Sequence, residues 1–350
     1  MRFVKIILAP FVLFYGFTIS VRNLFFDKSV FKSKKVNAKV ISVGNINVGG
    51  SGKTPLVIYV TNLLKNSGYK VGVLSRGYGR KSIDYKLVSK GDAILTSVEE
   101  CGDEIYHTAL ECKVAAAVSE NRVKGAKRLI EETGINTIVL DDAFQHRWIG
   151  RDIDLVIIDQ NFVNNKSFFT HNLLPSGDLR EGFDSLKRAD AIIVNRKFLD
   201  KEEIKSEMKK YFKGKQIFTS YYKAISFVDA MRKIEYNLDD FKGQESLVVS
   251  GIANPHSFLN VLGKVHVNTQ NKLIFRDHKN YTLREVQQIR KRFYTTNSHS
   301  VVTTEKDAVK LSRFNREFDD VDIFYLKINL CMDDEESFKQ YLINKLNNAS

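Results

Sequence analysis

Short apolar runs alternate with segments of helical period along most of the chain. Positions 70–75, 137–141, 154–159, 191–195 and 247–251 read as strands buried on both faces, while 120–132, 202–212 and 282–293 repeat apolar residues every three or four positions, as amphipathic helices do. Strand and helix in alternation predict a mostly parallel sheet covered by helices. No repeat of fixed period and no low-complexity tract interrupts the pattern. Positions 221–236, β-branched and aromatic, precede a polar stretch at 237–244 and mark the expected change of domain.

The N-terminus departs from this pattern. Residues 6–21 carry no charge, yet the run is sixteen residues long where a spanning helix needs about 20, and Pro10 and Gly16 interrupt it. No small-residue cleavage site follows, which argues against a signal peptide. An interfacial membrane anchor, a short span and a buried core helix remain as readings. Charge favours the anchor. Eight basic residues and one acid, Asp27, fall within the first forty positions, so +7 of the total +13 lies there and +6 is spread over the other 310. A basic flank beside apolar and aromatic residues suits an anionic membrane surface. The same distribution argues against a nucleic-acid partner, which would want basic residues interleaved with stacking aromatics on the folded body. At 350 residues, 43% hydrophobic and 27% charged, the chain has material for two ordinary cores, and disorder is excluded. Cys101, Cys112 and Cys331 are odd in number and lack C-x-x-C spacing, so neither a disulfide framework nor a zinc site is expected.

Chemistry concentrates after position 39. A strand pattern at 40–43 runs into Gly44-Asn45-Ile46-Asn47-Val48-Gly49-Gly50-Ser51-Gly52-Lys53-Thr54-Pro55, and Leu56, Val57, Val60, Leu63 and Leu64 then mark one helical face ending near Gly68. Strand, glycine-rich turn and helix in that order are the context of a phosphate-binding P-loop, in which backbone N–H groups converge on phosphate oxygens. The nucleotide-binding residues are Gly49, Gly50, Ser51, Gly52, Lys53 and Thr54, with Lys53 reaching the β/γ-phosphates and Thr54 a ligand of Mg²⁺. Asn47 stands where the strict spacing has its first glycine. Asp141 and Asp142 end an apolar strand and supply the acids that hold Mg²⁺ or its waters. No N-K-x-D guanine-reading motif occurs, because Thr304-Glu305-Lys306-Asp307 has the wrong order, which favours ATP over GTP.

GNINVGGSGKTP, SRGYGR at 75–80, CGDE at 101–104, LDDAFQHR at 140–147, LPSGDLRE at 174–181, SGIANPHSF at 250–258, FRDHKNYT at 275–282 and TTEKDAVKL at 303–311 resemble, in order, the landmark motifs of the tetraacyldisaccharide 4′-kinases, the lipid A kinases of Gram-negative bacteria. The family usually has Gly at the position of Ala143, and often Pro at those of Asp178 and Gly182. The resemblance implies an ATP- and Mg²⁺-dependent kinase that phosphorylates the 4′-hydroxyl of tetraacyldisaccharide 1-phosphate in lipid A biosynthesis. It places the enzyme at the cytoplasmic face of the bacterial inner membrane, peripheral or monotopic, with no obligate protein partner expected. The implied fold is α/β: a P-loop NTPase-like, mostly parallel sheet domain at 36–222, a second smaller α/β domain with linker strands at 223–350, and a membrane-associating helix at 1–35.

The resemblance also pairs Asp103 with His278 across a cleft as the group that accepts the acceptor's proton, a task a carboxylate–imidazole pair can perform. Read without it, Asp103 precedes a helix and suits an N-cap, and His278 suits an exposed loop. Tyr78, Glu104, Gln145, His146, Arg180 and Glu181 lie in matching motifs as substrate or cleft residues, although Arg180 and Glu181 would serve equally well as a mutual surface ion pair. Two other functions fit the same features. A membrane-recruited P-loop ATPase could act as a switch or partner-binding protein, and a soluble kinase could act on a small sugar or nucleotide.

Overall fold

The computed structural model describes residues 9–165, 167, 170–252, 255–277 and 279–348. Two compact units divide the chain: Met1–Tyr221 together with Cys331–Ser350, and Tyr222–Leu330.

The first unit holds strands β1 (Lys39–Gly44), β2 (Val71–Ser75), β3 (Lys86–Lys90), β4 (Ala115–Val118), β5 (Thr137–Asp141), β6 (Ile153–Asp159), β7 (Ala191–Asn195) and the first part of β8 (Gln216–Asp229), in the order β8-β7-β6-β1-β5-β2-β4-β3. All pairs are parallel except β3 with β4. Every residue of β2, β4, β5 and β7 is buried, which accounts for their unbroken apolar character: helices cover both faces of a parallel sheet. The helix Lys53–Asn66 buries Leu56, Val57, Val60, Leu63 and Leu64, the predicted face. Asn121 caps the helix Arg122–Thr133 by accepting from the Lys124 amide, and Gly134 ends it in the left-handed conformation at φ 65°.

The second unit holds β10 (Ser246–Ser250), β11 (Lys272–Ile274), β12 (Ser300–Thr304) and most of β13 (Ile323–Met332), parallel in the order β11-β10-β12-β13, while β9 (Glu235–Tyr236) pairs antiparallel with the end of β8. Its helix Leu283–Thr295 starts with a reciprocal capping box between Thr282 and Glu285 and buries Val286, Ile289 and Phe293.

The second unit ends at Leu330 rather than at the C-terminus. The helix Glu335–Asn348 instead buries Phe338, Leu342 and Leu346 completely within the first unit, where Phe338 meets the rings of Phe218 at 5.0 Å and Tyr59 at 6.0 Å. Each such side chain contributes about 1.5–3 kcal/mol on burial, ample to fix a fourteen-residue helix.

The N-terminal helix Ala9–Asp27 is two-sided. Phe26 is buried against Phe31 and Trp148, with ring centroids at 5.3 and 4.9 Å, whereas Leu13, Phe14 and Phe17 are 80%, 74% and 68% exposed. That exposure overturns the reading as a buried core helix. Among the described residues no helix is long and apolar enough to cross a membrane.

Candidate active site

The phosphate loop leaves the sheet at the C-terminal end of β1, between β5 and β6, the edge at which parallel α/β sheets bind ligands. Its first half is pinned to the 178–181 segment. Asn47 bridges antiparallel to Leu179, and the Val48 amide donates to the Asp178 carbonyl at 2.7 Å, so position 47 needs no glycine. The turn itself does: Gly49 and Gly52 have φ of 102° and 104°, a region L side chains rarely enter. Added Cβ atoms on Gly49 and Gly50 would meet nothing within 4 Å, which leaves open space over the loop. Ser51 is buried, its hydroxyl accepting from Asn45 Nδ2 at 2.8 Å and its carbonyl from Asn195 Nδ2 at 3.1 Å. The helix that follows starts at Lys53 with Thr54 buried, so unpaired N–H groups and the positive helix end face the loop.

Opposite stand the two acids. Asp141 ends β5 beside Val43, and Asp142 follows at φ 49°. Lys53 Nζ lies 3.8 Å from Asp142 Oδ1, and Arg180 donates to both Asp142 oxygens at 2.8 Å. Burial alone would raise the Asp142 carboxyl, but Lys53 and Arg180 outweigh it and hold the group below the usual carboxylate range. Asp141 goes the other way, raised by burial and by the carboxylates of Glu104 and Asp142, with Lys53 and a 3.2 Å hydrogen bond from Ser75 opposing. Its Oδ1 is buried and unpartnered. Among the described residues no group of three or more His, Cys, Asp or Glu forms a metal cage. Mg²⁺ needs none, because it binds nucleotide phosphates and water with one or two carboxylates, a donor set that Thr54, Asp141 and Asp142 would supply. A buried acceptor in want of a cation fits it.

Gly44 is required by its surroundings. A Cβ there would sit 2.6 Å from Phe144 Cβ and 2.8 Å from its backbone nitrogen, and backbone cannot step aside. Gly44→Ala is expected to lower stability by about 1–3 kcal/mol and weaken nucleotide binding, measured by denaturant melts and a nucleotide titration.

Around the acids the motifs converge. A Cβ on Gly77 would lie 2.7 Å from the Cys101 carbonyl and one on Gly102 3.0 Å from the Tyr78 carbonyl, so the 75–80 loop packs on the turn that carries Asp103 and Glu104. Asp103 opens the helix Asp103–Cys112, and Gly102, not Asp103, is its N-cap. The Tyr78 side chain is exposed. Gln145 Nε2 donates to the Asn45 carbonyl at 2.8 Å, tying the 140–147 segment to the phosphate loop. His278 lies outside the described residues.

The model of the tetraacyldisaccharide-1-P 4′-kinase family matches residues 4–347 of this chain. The chain belongs to that family. Its relatives include the tetraacyldisaccharide 4′-kinases of Desulfatibacillum aliphaticivorans, 32% identical over 344 residues (95% of this chain, 90% of the relative), and of Aquifex aeolicus, 32% identical over 336 residues (96% and 97%). Among solved structures, LpxK from Aquifex aeolicus in complex with ATP superposes with a TM-score of 0.80 at 30% identity, covering 98% of this chain and 99% of that one.

The departures from the kinase family's usual residues have local explanations. Asp142, not Ala143, takes the left-handed position, so Ala143 sits unstrained and fully buried in the core. Gly182 has φ of −63°, the value a proline would impose. The Asp178 amide donates to the Thr170 carbonyl at 3.2 Å, a bond proline could not make.

Arg180 and Glu181 are not paired with each other, as adjacency had suggested. Arg180 faces Asp142, whereas Glu181, 1% exposed, accepts from Arg22 at 2.8 Å, Asn23 at 3.0 Å and Arg188. Arg122 carried no motif signal. Yet it is buried, donates to the Ser119 carbonyl at 2.8 Å and the Asp141 carbonyl at 3.4 Å, and braces the acids from behind.

His146 is pushed down to about 4, by burial first and then by Arg122, Arg151, Arg76 and Arg22. It is therefore neutral at pH 7 and adds no charge for a phosphate. An unfolded histidine titrates near ~6.5, so the unfolded chain binds this proton more readily, and the stability tied to neutral His146 is lost as pH falls from about 6.5 toward 4. His146→Gln is expected to flatten the dependence of unfolding free energy on pH across that window, as read from denaturant melts.

Proposed function

We propose that this protein transfers the γ-phosphate of ATP to the 4′-hydroxyl of tetraacyldisaccharide 1-phosphate at the cytoplasmic surface of the bacterial inner membrane. The observation that carries the reading is the assembly of Lys53, Asp142 and Arg180 at the mouth of a phosphate loop, in a chain matched along nearly its whole length to the kinase family.

Phosphoryl transfer asks chiefly for positioning and charge neutralisation. The loop amides from Gly49 to Thr54 bind the phosphate oxygens, and Lys53 neutralises charge on the β- and γ-phosphates. Arg180 adds a planar cation suited to two oxygens at once. Thr54, Asp141 and Asp142 would hold Mg²⁺, which would supply further charge neutralisation. The Asp103–His278 pair accepts the proton of the attacking hydroxyl while the new oxygen–phosphorus bond forms and the bond to the β-phosphate oxygen breaks, releasing ADP.

The exposed Phe11, Leu13, Phe14 and Phe17, beside a strongly basic N-terminal segment, support a helix lying in the interface of an anionic leaflet. An acceptor with four acyl chains requires that placement. The kinase forms ADP in stoichiometric dependence on the glycolipid, whereas a membrane-recruited ATPase switch would hydrolyse ATP with bare anionic vesicles and yield no phosphorylated lipid. Sedimentation with anionic vesicles tests the anchor: a Phe14→Ser/Phe17→Ser double variant is expected to remain in the supernatant, and undiminished binding would refute the placement.

A further inference from the structure

Residues 180 and 181 form a junction between three parts of the first unit. Their amides both donate to the Ile46 carbonyl of the phosphate loop, at 2.8 and 3.4 Å. The Arg180 side chain holds Asp142. Towards the N-terminal helix Ala9–Asp27, Tyr15 donates its hydroxyl to the Arg180 carbonyl at 3.0 Å, and Arg22 and Asn23 donate to the buried Glu181 carboxylate. Arg188, the other cation on Glu181, lies 4.6 Å over the Phe144 ring, two residues beyond Asp142. Arg147 secures the helix end through the Asn23 carbonyl at 3.2 Å and Asp27 at 2.7 Å.

We propose that Glu181 is a positioning residue through which docking of the N-terminal helix sets Arg180 and the phosphate loop, so that this helix is a structural part of the nucleotide site as well as a lipid-facing surface. A carboxylate that is 1% exposed and shared by three donors has one arrangement that satisfies it. Withdrawing Arg22 leaves Glu181 to re-pair, and the backbone that carries Arg180 moves with it. This inference rests on the nucleotide-site reading but not on the identity of the acceptor or on membrane contact.

The test uses the full-length protein in lipid-free buffer, titrated calorimetrically with MgATP. Arg22→Met is expected to weaken MgATP binding about tenfold, within the range of coupling between linked sites. Glu181→Gln should do the same, and the double variant should be no worse than either single one, because the two side chains act as one device. Arg22→Lys, which keeps the charge, should recover most of the loss. With saturating ATP and glycolipid in detergent, turnover should fall while the KM for glycolipid and vesicle binding stay at parental values. A role confined to anchoring gives the opposite split. If Arg22→Met destabilises the fold, Glu181→Gln and Arg22→Lys, both close in shape to the parent, carry the comparison. MgATP binding by Arg22→Met and Glu181→Gln equal to the parent's, or additive losses in the double variant, would overturn the proposal alone. A parent that fails to bind MgATP would overturn it together with the nucleotide-site reading.

Discussion

Lys53→Ala is expected to lower nucleotide affinity and turnover together, with kcat falling about 10²–10³-fold, the cost of removing one preorganised charge from a developing phosphoryl transition state. The ammonium lies 3.8 Å from Asp142 on a side chain that is 13% exposed, so its attraction for phosphate is poorly screened. Its loss leaves Asp142 still held by Arg180, so the fold is retained and a cooperative melt should show it. Lys53→Arg is not expected to rescue, because a planar guanidinium does not replace a compact point charge at the start of a crowded helix. Steady-state kinetics with a nucleotide titration separate the outcomes. A rise in the KM for ATP at constant kcat would mean that Lys53 binds ground and transition states equally, contrary to the role assigned to it.

Asp103→Ala should behave differently, with kcat falling about 10²–10⁴-fold and MgATP affinity little changed, since a proton acceptor acts on the attacking hydroxyl rather than on the nucleotide. Gly102 is the N-cap of this helix, and Asp103 Oδ1 accepts from the Glu104 amide at 3.1 Å, so removing Asp103 costs the fold that hydrogen bond and the dipole contribution of a first-turn acid, about 1–2 kcal/mol. A small shift in melting accompanied by a large loss of kcat therefore distinguishes chemistry from structure. Asp103→Ala as active as the parent would eliminate the proposed pair with His278.

Much of the sheet is legible in the sequence because its strands are buried on both faces, which makes them apolar without interruption. Helix starts are less so. The period at 202–212 predicts a helix from 202, yet the helix is Ser206–Phe212. The preceding turn is held open because Gln160 Oε1 and Asn164 Oδ1 accept from the amides of Glu202 and Lys205, and those partners lie some forty residues away in sequence. The destination of the C-terminal helix has a related cause: Phe338, Leu342 and Leu346 are buried in the first unit, and nothing local to their segment names the core that takes them.

The site divides in the same way. Lys53, Asp141 and Asp142 are readable because strand-turn-helix order and terminal acids have a local cause. Arg180 and Glu181 are adjacent, and adjacency suggests a mutual pair. The chain bends at both positions, and the two side chains diverge, one to Asp142 and the other to the N-terminal helix. Asn195 and Arg122 serve by bracing backbone carbonyls and Asn45 by holding the Ser51 hydroxyl, roles that leave no pattern in a single sequence.

The most direct measurement of the function is product analysis after incubating the folded protein with γ-labelled ATP, Mg²⁺ and tetraacyldisaccharide 1-phosphate in mild detergent. The account predicts a bis-phosphorylated lipid with the label at the 4′ position, formed in equal amount to ADP. Label released only as inorganic phosphate, or a lipid left unchanged by protein that melts cooperatively, would contradict it.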